Sequence, residues 1–204
     1  MRPPRSLLYW PVLGIALAPL LMALLGLTHP TDLTTSTVHH WTRLHLWLIP
    51  LFPLIGVNLW WLLSDLRGWL PWAARLGAFV YGVYYPAVDL LAGVATGRLL
   101  SSGVDRDAPA ISTLFQQGNA LGDIGNMGLL LSCVLTIAAL WPLRGRALLP
   151  GAGCLLLGAW LFTENHIYRP WGVLAMLLLA VGFAALMWVR QRPAKQANPE
   201  YRVN

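Results

Sequence analysis

The chain has 204 residues, of which 57% are hydrophobic and only 11% are charged, and its mean hydropathy is +0.59. A soluble domain carries roughly 25% charged residues, so this composition excludes an ordinary water-soluble protein and indicates an integral membrane protein. The net charge of +6 comes from 14 basic residues against 8 acidic ones, and the basic residues are scattered along the chain. A nucleic-acid partner is not expected, because it would need the basic groups on one exposed face.

Six apolar runs are candidates for membrane-spanning helices. A bilayer core about 30 Å thick needs about 20 residues of helix, and the predicted spans are 6–27, 43–64, 71–96, 119–142, 147–164 and 171–190. Asp107 followed by Pro109 is a helix-start signal, so the fourth helix is expected to begin before its apolar run. The sequence thus predicts an all-α protein with a single six-helix transmembrane domain over 1–190 and a disordered cytoplasmic tail over 191–204.

The distribution of basic residues predicts the orientation of the helices. Loops on the side of the termini hold ten Arg and Lys residues, whereas the loops on the other side hold four. Cytoplasmic loops collect cations, so both termini are expected in the cytoplasm. The first run reaches Leu27 without a convincing cleavage site, so we interpret it as a retained span and not as a cleaved signal peptide. We therefore expect an integral protein of a bacterial cytoplasmic membrane, with the lipid bilayer as its partner. The sequence does not determine its oligomeric state.

The histidines all fall on the predicted outer side. His29, His39 and His40 lie in the first outer loop, His45 at the outer end of the second run, and His166 at the outer end of the fifth. Most acidic residues are on the same side. The bias of cytoplasmic loops toward cations does not account for this sorting, so we expect the functional site at the outer face.

A polar stripe runs along the fourth helix. Its members recur at steps of four and three residues, which places them on one helix face: Ser112, Gln116, Asn119, Asp123 and Asn126. A charge at the bilayer centre costs at least ~3 kcal/mol, so the stripe should face the bundle or a wet cavity. The glycines beside it, Gly118, Gly122, Gly125 and Gly128, are expected to let a neighbouring helix approach closely. Cross-linking of helices by hydrogen bonds is the alternative role of the stripe.

The third run places Tyr81, Tyr85 and Asp89 at steps of four, with Pro86 between them to kink the helix. A carboxylate inside a membrane span is a functional candidate by default. The predicted ligand-binding residues are thus Asp89, Asp123, Asn126, Asn119, Tyr85, His45 and His166, and no catalytic role is assigned.

Four of these residues have the side chains that hold metal ions. His45, His166, Asp89 and Asp123 would suit zinc, iron or manganese. They come from four separate helices, so no local spacing supports the set, and interfacial polar residues or proton handling are the alternatives. Haem is not expected, since a b-type site needs two facing histidines and only His45 enters a span. The cofactor is otherwise left open.

A short segment before the second run is similar to one in a known class of enzymes. Ser36 and His40 form a Ser-x-x-x-His spacing, followed by Asp89 in the next span. Membrane amide hydrolases of the alkaline ceramidase and adiponectin-receptor type use a similar set around zinc. Those proteins have seven spans and a His-x-x-x-His pair in the last one. This chain lacks that pair, so the family is not assigned.

Two classes of function are compatible with these patterns. The first, which the sequence favours, is a carrier, sensor or assembly factor whose outer cavity binds a small ligand, a proton or a metal. The second is a metal-dependent enzyme that acts on a lipid or lipid-linked substrate at the outer leaflet, with the same residues as ligands or general acid and base. Metal analysis of the purified protein separates the two.

Overall fold

The computed structural model describes residues 6–192, with side chains from Tyr9 onward, and the regular structure in this range is helical. The helices are α1 (Ser6–Leu27), α2 (Val38–Leu62), α3 (Trp69–Tyr84), α4 (Pro86–Val88), α5 (Thr96–Ser101), α6 (Pro109–Arg144), α7 (Leu149–Asn165) and α8 (Trp171–Gln191). A π-helical segment, Asp89–Ala95, joins α4 to α5, and a 3-10 turn, Gly145–Leu148, joins α6 to α7. The all-α prediction is confirmed for this range. Residues 193–204 of the predicted tail lie outside the described residues.

Five helical stretches are long and apolar enough to cross a membrane. They are Tyr9–Leu27, Val38–Leu62, Trp69–Ser101, Pro109–Asn165 and Trp171–Gln191. The fourth, of 57 residues, contains two of the predicted runs, and the chain folds back within it at Gly145, whose φ is +50°. Large apolar side chains cover the outside of the bundle, as at Trp47, which is 64% exposed, and Met127, which is 72% exposed. An apolar surface of this kind fits a lipid environment; the six-span count and the orientation stay predictions.

Close helix contacts divide the bundle into two groups. α8 packs between α1 and α7, α3 packs along α6, and α2 contacts both groups. A Cβ atom on Gly128 of α6 would lie 2.8 Å from the carbonyl oxygen of Gly77 in α3, so the two backbones touch. The predicted close approach at the other three glycines of α6 is also confirmed. Gly118 faces Ala92, Gly122 faces Val88 and Gly125 faces Tyr85.

Two predicted boundaries move, and tertiary contacts explain the change at α2. This helix begins at Val38, five residues before the predicted span, because Val38 and Trp41 pack with Leu33, Leu100 and Ile111 into a small apolar cluster. The third stretch continues to Ser101 through the π-helical segment. α6 begins at Pro109, as the helix-start signal predicts.

Contacts at one end of the bundle join the start of α1 to the end of α8. Tyr9 stacks on Trp188 with ring centroids 5.9 Å apart. The Arg190 guanidinium donates to the carbonyl oxygen of Trp61 at 3.0 Å and pairs with Asp65. We call this the termini end. The opposite end, which we call the site end, holds the loops after α1, α5 and α7.

Candidate metal centre

Three histidines from separate parts of the chain converge at the site end. His29 lies in the loop after α1, His45 lies two turns into α2, and His166 follows the last residue of α7. One ring nitrogen of each histidine lies within 4.8 Å of those of the other two. His29 and His45 are 1% and 2% exposed, and the side chain of His166 is 11% exposed. Three imidazoles placed in this way can hold a metal ion.

An unusual backbone conformation places the ring of His166. Its φ is +47°, and it is the one non-glycine residue with a positive φ between positions 6 and 192. Such a conformation costs about 1 kcal/mol or more and persists only where the surroundings hold it. The His166 N–H donates to the carbonyl oxygen of Phe162 at 2.9 Å, which ends α7. The chain thus leaves the helix at the residue whose ring joins the cluster.

Hydrogen bonds engage one nitrogen of each ring and leave the other open. Nδ1 of His29 lies 2.7 Å from the carbonyl oxygen of Pro30, and Nδ1 of His45 lies 2.7 Å from that of Trp41. A carbonyl only accepts, so both Nδ1 atoms donate, and in the neutral rings Nε2 keeps its lone pair. Nδ1 of His166 lies 2.7 Å from the Tyr85 hydroxyl. Metal-binding histidines have this arrangement, with a second group fixing the tautomer and the ring orientation.

Burial keeps the loop histidines neutral. Desolvation lowers the pKa of His29 to about 4, opposed in part by the hydrogen bond to Pro30. Desolvation, together with the neighbouring His29 and His45, holds the pKa of His166 well below its usual range. A neutral imidazole has the lone pair that a metal needs, whereas an imidazolium does not. These two rings are therefore ready to bind a metal at neutral pH.

Asp89 lies beside one histidine of the cluster. It is the first residue of the π-helical segment, and its side chain is fully buried. Oδ1 lies 4.0 Å from Nε2 of His166. Neither carboxylate oxygen has a hydrogen-bond partner in the described part of the chain. Burying a carboxyl group without a partner is costly, so this group needs a cation or a donor that the described side chains do not supply.

The π-helical segment packs directly against His45. A Cβ atom on Gly93 would overlap the His45 ring, so only glycine leaves room for that ring. The Trp41 indole N–H donates to the carbonyl oxygen of Gly93 at 3.0 Å and ties the segment to α2. π-helical turns occur often at functional sites. Here Asp89 is the first residue of the π-helical segment, and Gly93, which contacts the His45 ring, follows one turn later.

A pocket of about 500 Å³ adjoins the histidines. Its walls include His45 and His166, three members of the polar stripe of α6, and residues at the end of α7; the polar ones are Asn119, Asp123, Asn126, Thr163, Glu164 and Asn165. Asn126 is 9% exposed, whereas Asn119 and Asp123 are exposed. The pocket is thus the cleft between α6 and α7 at the site end, with the histidines in its wall.

Most of the residues singled out in the sequence lie at this centre or in the pocket. Tyr85 lines the pocket and contacts His166, while Asp89 is buried beside His166 and is not among the lining residues. Asp123 was predicted to be a metal ligand. It lies in the pocket wall, outside the group of clustered ligand atoms, which comes from the three histidines. Ser112 and Gln116 are exposed and do not line the pocket.

His29 is the clustered residue that the sequence analysis did not include among the candidate ligands. It belongs to a loop, and no periodicity predicts where a loop residue points. The structure buries its ring against Tyr168 and His45, with ring centroids 4.3 and 4.9 Å away. The one available signal is its place among the histidines at the predicted outer side.

Comparison of the chain with protein-family models, curated proteins and solved structures finds no match. An apolar helical bundle with three clustered histidines is compatible with a membrane protein that binds a metal.

Proposed function

We propose that the protein is a membrane metalloenzyme that holds one divalent metal ion on the rings of His29, His45 and His166. The observation that carries the proposal is the convergence of three imidazole nitrogens within 4.8 Å. A tetrahedral zinc ion lies about 2.1 Å from its nitrogen ligands, which places them about 3.4 Å from one another. Binding therefore requires the ring nitrogens to move closer together by up to about 1.4 Å.

Zinc is the ion that this donor set favours. Imidazole is a common zinc ligand, and three histidines with an open fourth position are typical of a catalytic zinc site. Iron and manganese also accept imidazole and carboxylate ligands and are the alternatives that metal analysis would identify.

The pocket favours a catalytic site over a purely structural one. Structural zinc sites are closed by four protein ligands, whereas catalytic sites keep one position for water or substrate. His45 and His166 lie in the pocket wall, so the fourth position has a route to the pocket. A zinc ion held there would lower the pKa of a bound water and supply a nucleophile near neutral pH. Asp89, beside His166, would take up the proton. Hydrolysis of an ester or amide best accounts for this set of groups.

The depth of the centre favours a lipid substrate. At about 1.5 Å per residue, Asp123 lies about 27 Å along α6 from Trp141, which is near the termini end. Counted in the same way, Asp89 lies about 25 Å from Trp72. A hydrocarbon core is about 30 Å thick, so both carboxylates lie just inside its far boundary if the tryptophans mark the near one. Ester and amide bonds that join head groups to acyl chains lie at this depth.

Metal content is the first test. The protein is purified in detergent without chelators and its zinc, iron and manganese are measured by mass spectrometry. We expect about one equivalent of zinc in the wild type and a small fraction of that in His45→Ala and His166→Ala, since each removes a ligand. His39→Ala, which removes an exposed histidine of α2, is the control and should keep the metal. A wild type without metal, or ligand variants that keep it, contradicts the proposal.

Hydrolysis is tested with Asp89→Asn. Fatty-acid release is followed from micelles that contain acyl esters and acyl amides with neutral, anionic and cationic head groups. Loss of the proton acceptor should lower the metal-dependent rate by about 100-fold or more while zinc stays bound. If the zinc-loaded wild type releases no fatty acid from any of these lipids, the hydrolase proposal fails and metal binding alone remains.

The outer position of the site is tested separately. It depends on the excess of basic residues on the side of the termini, which predicts that both ends are cytoplasmic. A reporter that works only outside the cytoplasm, fused after Asn204, should be inactive, and the same reporter inserted after Asp105 should be active. The reverse pattern would place the pocket at the inner leaflet.

A further inference from the structure

The pocket beside the metal centre has acidic walls. Asp123 from α6 and Glu164 from α7 both line it, and both are exposed. None of the lining residues in the described chain is Lys or Arg. Asp123 and Glu164 are thus the acidic side chains of the wall, and their carboxylates attract a cationic ligand and disfavour an anionic one.

A buried acceptor in the same wall points to a ligand that donates hydrogen bonds. Asn126 lies almost one turn along α6 from Asp123 and is 9% exposed. Its Oδ1 atom is buried and finds no donor among residues 6–192, although the side chain lines the pocket. Buried carbonyl groups are nearly always hydrogen-bonded in folded proteins. A ligand with an N–H or O–H group would satisfy this oxygen.

Aromatic rings complete the walls. Trp41, Phe115 and Tyr168 all line the pocket, and the faces of such rings attract cations. Arg106 lies over the Phe115 ring, 5.3 Å from its centroid, and donates to the carbonyl oxygen of Leu33 at 3.2 Å. This guanidinium is engaged on an aromatic ring of the wall and is not itself a lining residue. One ring of the wall therefore already contacts a cation.

We propose that the pocket binds the positively charged, amine-bearing head of the substrate, with Asp123 and Glu164 as its counter-charges and Asn126 as a hydrogen-bond acceptor. This inference rests on the proposed function, because it names the substrate class of the same site. The substrate is then a lipid whose ammonium group lies close to the ester or amide bond that is cleaved. Hydrolysis adds one water across that bond and gives a fatty acid and the amine-bearing alcohol or amine.

Binding is tested without any turnover. Choline and its uncharged carbon isostere dimethylbutanol are compared as additives to the purified zinc-loaded protein in a neutral detergent. At about 20 mM, choline should raise the unfolding midpoint by roughly 3 °C and the isostere by less than about 1 °C. The double variant Asp123→Asn/Glu164→Gln should lose the choline effect. Asp107→Asn, which removes an exposed acid outside the pocket, is the control and should keep it.

Turnover then tests the choice of substrate. Three esters that share one acyl chain are compared: dimethylaminoethyl palmitate, whose protonated amine is cationic and has an N–H donor, its uncharged carbon isostere 3-methylbutyl palmitate, and the anionic palmitoyl isethionate. In the wild type, kcat/KM for the cationic ester should exceed that for the neutral isostere by about 10-fold or more. In the double variant the ratio should fall to about 2 or less, while metal content stays at one equivalent.

The outcomes separate this inference from the proposed function. Metal-dependent hydrolysis that does not distinguish the cationic ester from its isostere overturns the cationic pocket alone. If the wild type binds no zinc and hydrolyses no ester while choline still raises its unfolding midpoint, this result supports the cation-binding pocket and contradicts the proposed metalloenzyme function. A second equivalent of zinc that disappears in Asp123→Asn assigns these carboxylates to another ion and also overturns the inference.

Discussion

The two ends of the helical bundle treat buried polar side chains differently. Toward the termini end, three such side chains donate hydrogen bonds to backbone carbonyl oxygens. Asn58 donates to Ile15 and Ser132 donates to Ala74, both at 2.7 Å. Arg75 donates to Leu63 at 2.5 Å. At the site end, Nε2 of His29, Nε2 of His166 and both oxygens of Asp89 have no partner in the described chain. Thr136, Arg144 and Gln191 also have one unpartnered buried atom each, but they are not part of the histidine cluster.

This difference separates polar groups that hold helices together from polar groups that await a ligand. A buried donor or acceptor without a partner is costly, and several at one place are rare unless something else binds there. The termini end satisfies Asn58, Ser132 and Arg75 within the chain, and its unpartnered atoms on Thr136, Arg144 and Gln191 belong to no cluster of metal-binding side chains in the described chain. The site end has three imidazoles around one point, with the Asp89 carboxylate beside one of them, His166.

Metal removal should have the largest effect on stability. A chelator leaves the clustered histidines and Asp89 without the ion, and a ligand present at about 1,000 times its Kd contributes about 4 kcal/mol. For a chain of this size the unfolding midpoint should fall by roughly 10 °C. Thermal unfolding in detergent, with and without chelator, measures the shift. His45→Ala should show no further loss with chelator; a midpoint that chelator leaves unchanged in the wild type would mean that no stabilising ion is bound.

Gly93→Ala should weaken metal binding by roughly 10- to 100-fold, because the added methyl group overlaps the His45 ring and overpacking costs about 1–3 kcal/mol. The matched control is Gly153→Ala in α7, where a Cβ atom meets nothing within 4 Å. That change should leave metal affinity unchanged and stabilise the helix slightly. Competition with a zinc-sensitive dye measures both affinities. Equal affinities in the two variants would show that the fit of the π-helical segment against His45 does not matter for the metal.

Tyr85→Phe should lower metal affinity by about 10-fold, because it removes the hydroxyl that contacts Nδ1 of His166 and leaves the ring less firmly oriented. Tyr84→Phe makes the same chemical change at the neighbouring residue, which is 37% exposed, and should have no effect. The same dye competition measures the difference. If Tyr85→Phe binds metal as tightly as Tyr84→Phe, the hydrogen bond has no role in orienting the ligand.

Asp65→Asn should have the smallest effect. It breaks the ion pair with Arg190 at the termini end, where the Asp65 side chain is 84% exposed. Solvent screens such a pair, so the free energy of unfolding should change by less than about 1 kcal/mol. Chemical denaturation in mixed micelles measures this change, and metal content should stay at the wild-type level. A loss of metal here would show that the two ends are coupled.

Much of the fold could be predicted from the sequence. Each apolar run of about 20 residues is helical, and Pro109 starts α6 because proline at a first helical position gives up no hydrogen bond. The start of α2 at Val38 could not be predicted from the apolar pattern. Polar residues such as His39 interrupt the apolar pattern there, and the helix is held by contacts of Val38 and Trp41 with distant parts of the chain.

The site could be predicted only in its parts. His45, His166 and Asp89 stand out because ionisable residues are rare near apolar spans. Their distances depend on how α2, α7 and the π-helical segment pack, and no periodicity contains that information. His29 is harder still, because its position depends on a loop in which Leu33 is buried and the Thr37 hydroxyl donates to the carbonyl oxygen of Asp32 at 2.7 Å.

The π-helical segment also sets the phase of the third membrane stretch. In an α-helix each residue turns the chain by about 100°, and π-helical turns within such a helix accommodate extra residues. Deleting a single residue between Asp89 and Gly93 would therefore remove the extra residue and return the turn to α-helical geometry, which changes the angle and the rise between Asp89 and the glycine surface that receives His45. The carboxylate and the imidazole could then no longer serve the same centre. This stretch should accordingly tolerate substitution at Leu90, which is 54% exposed, but not its removal.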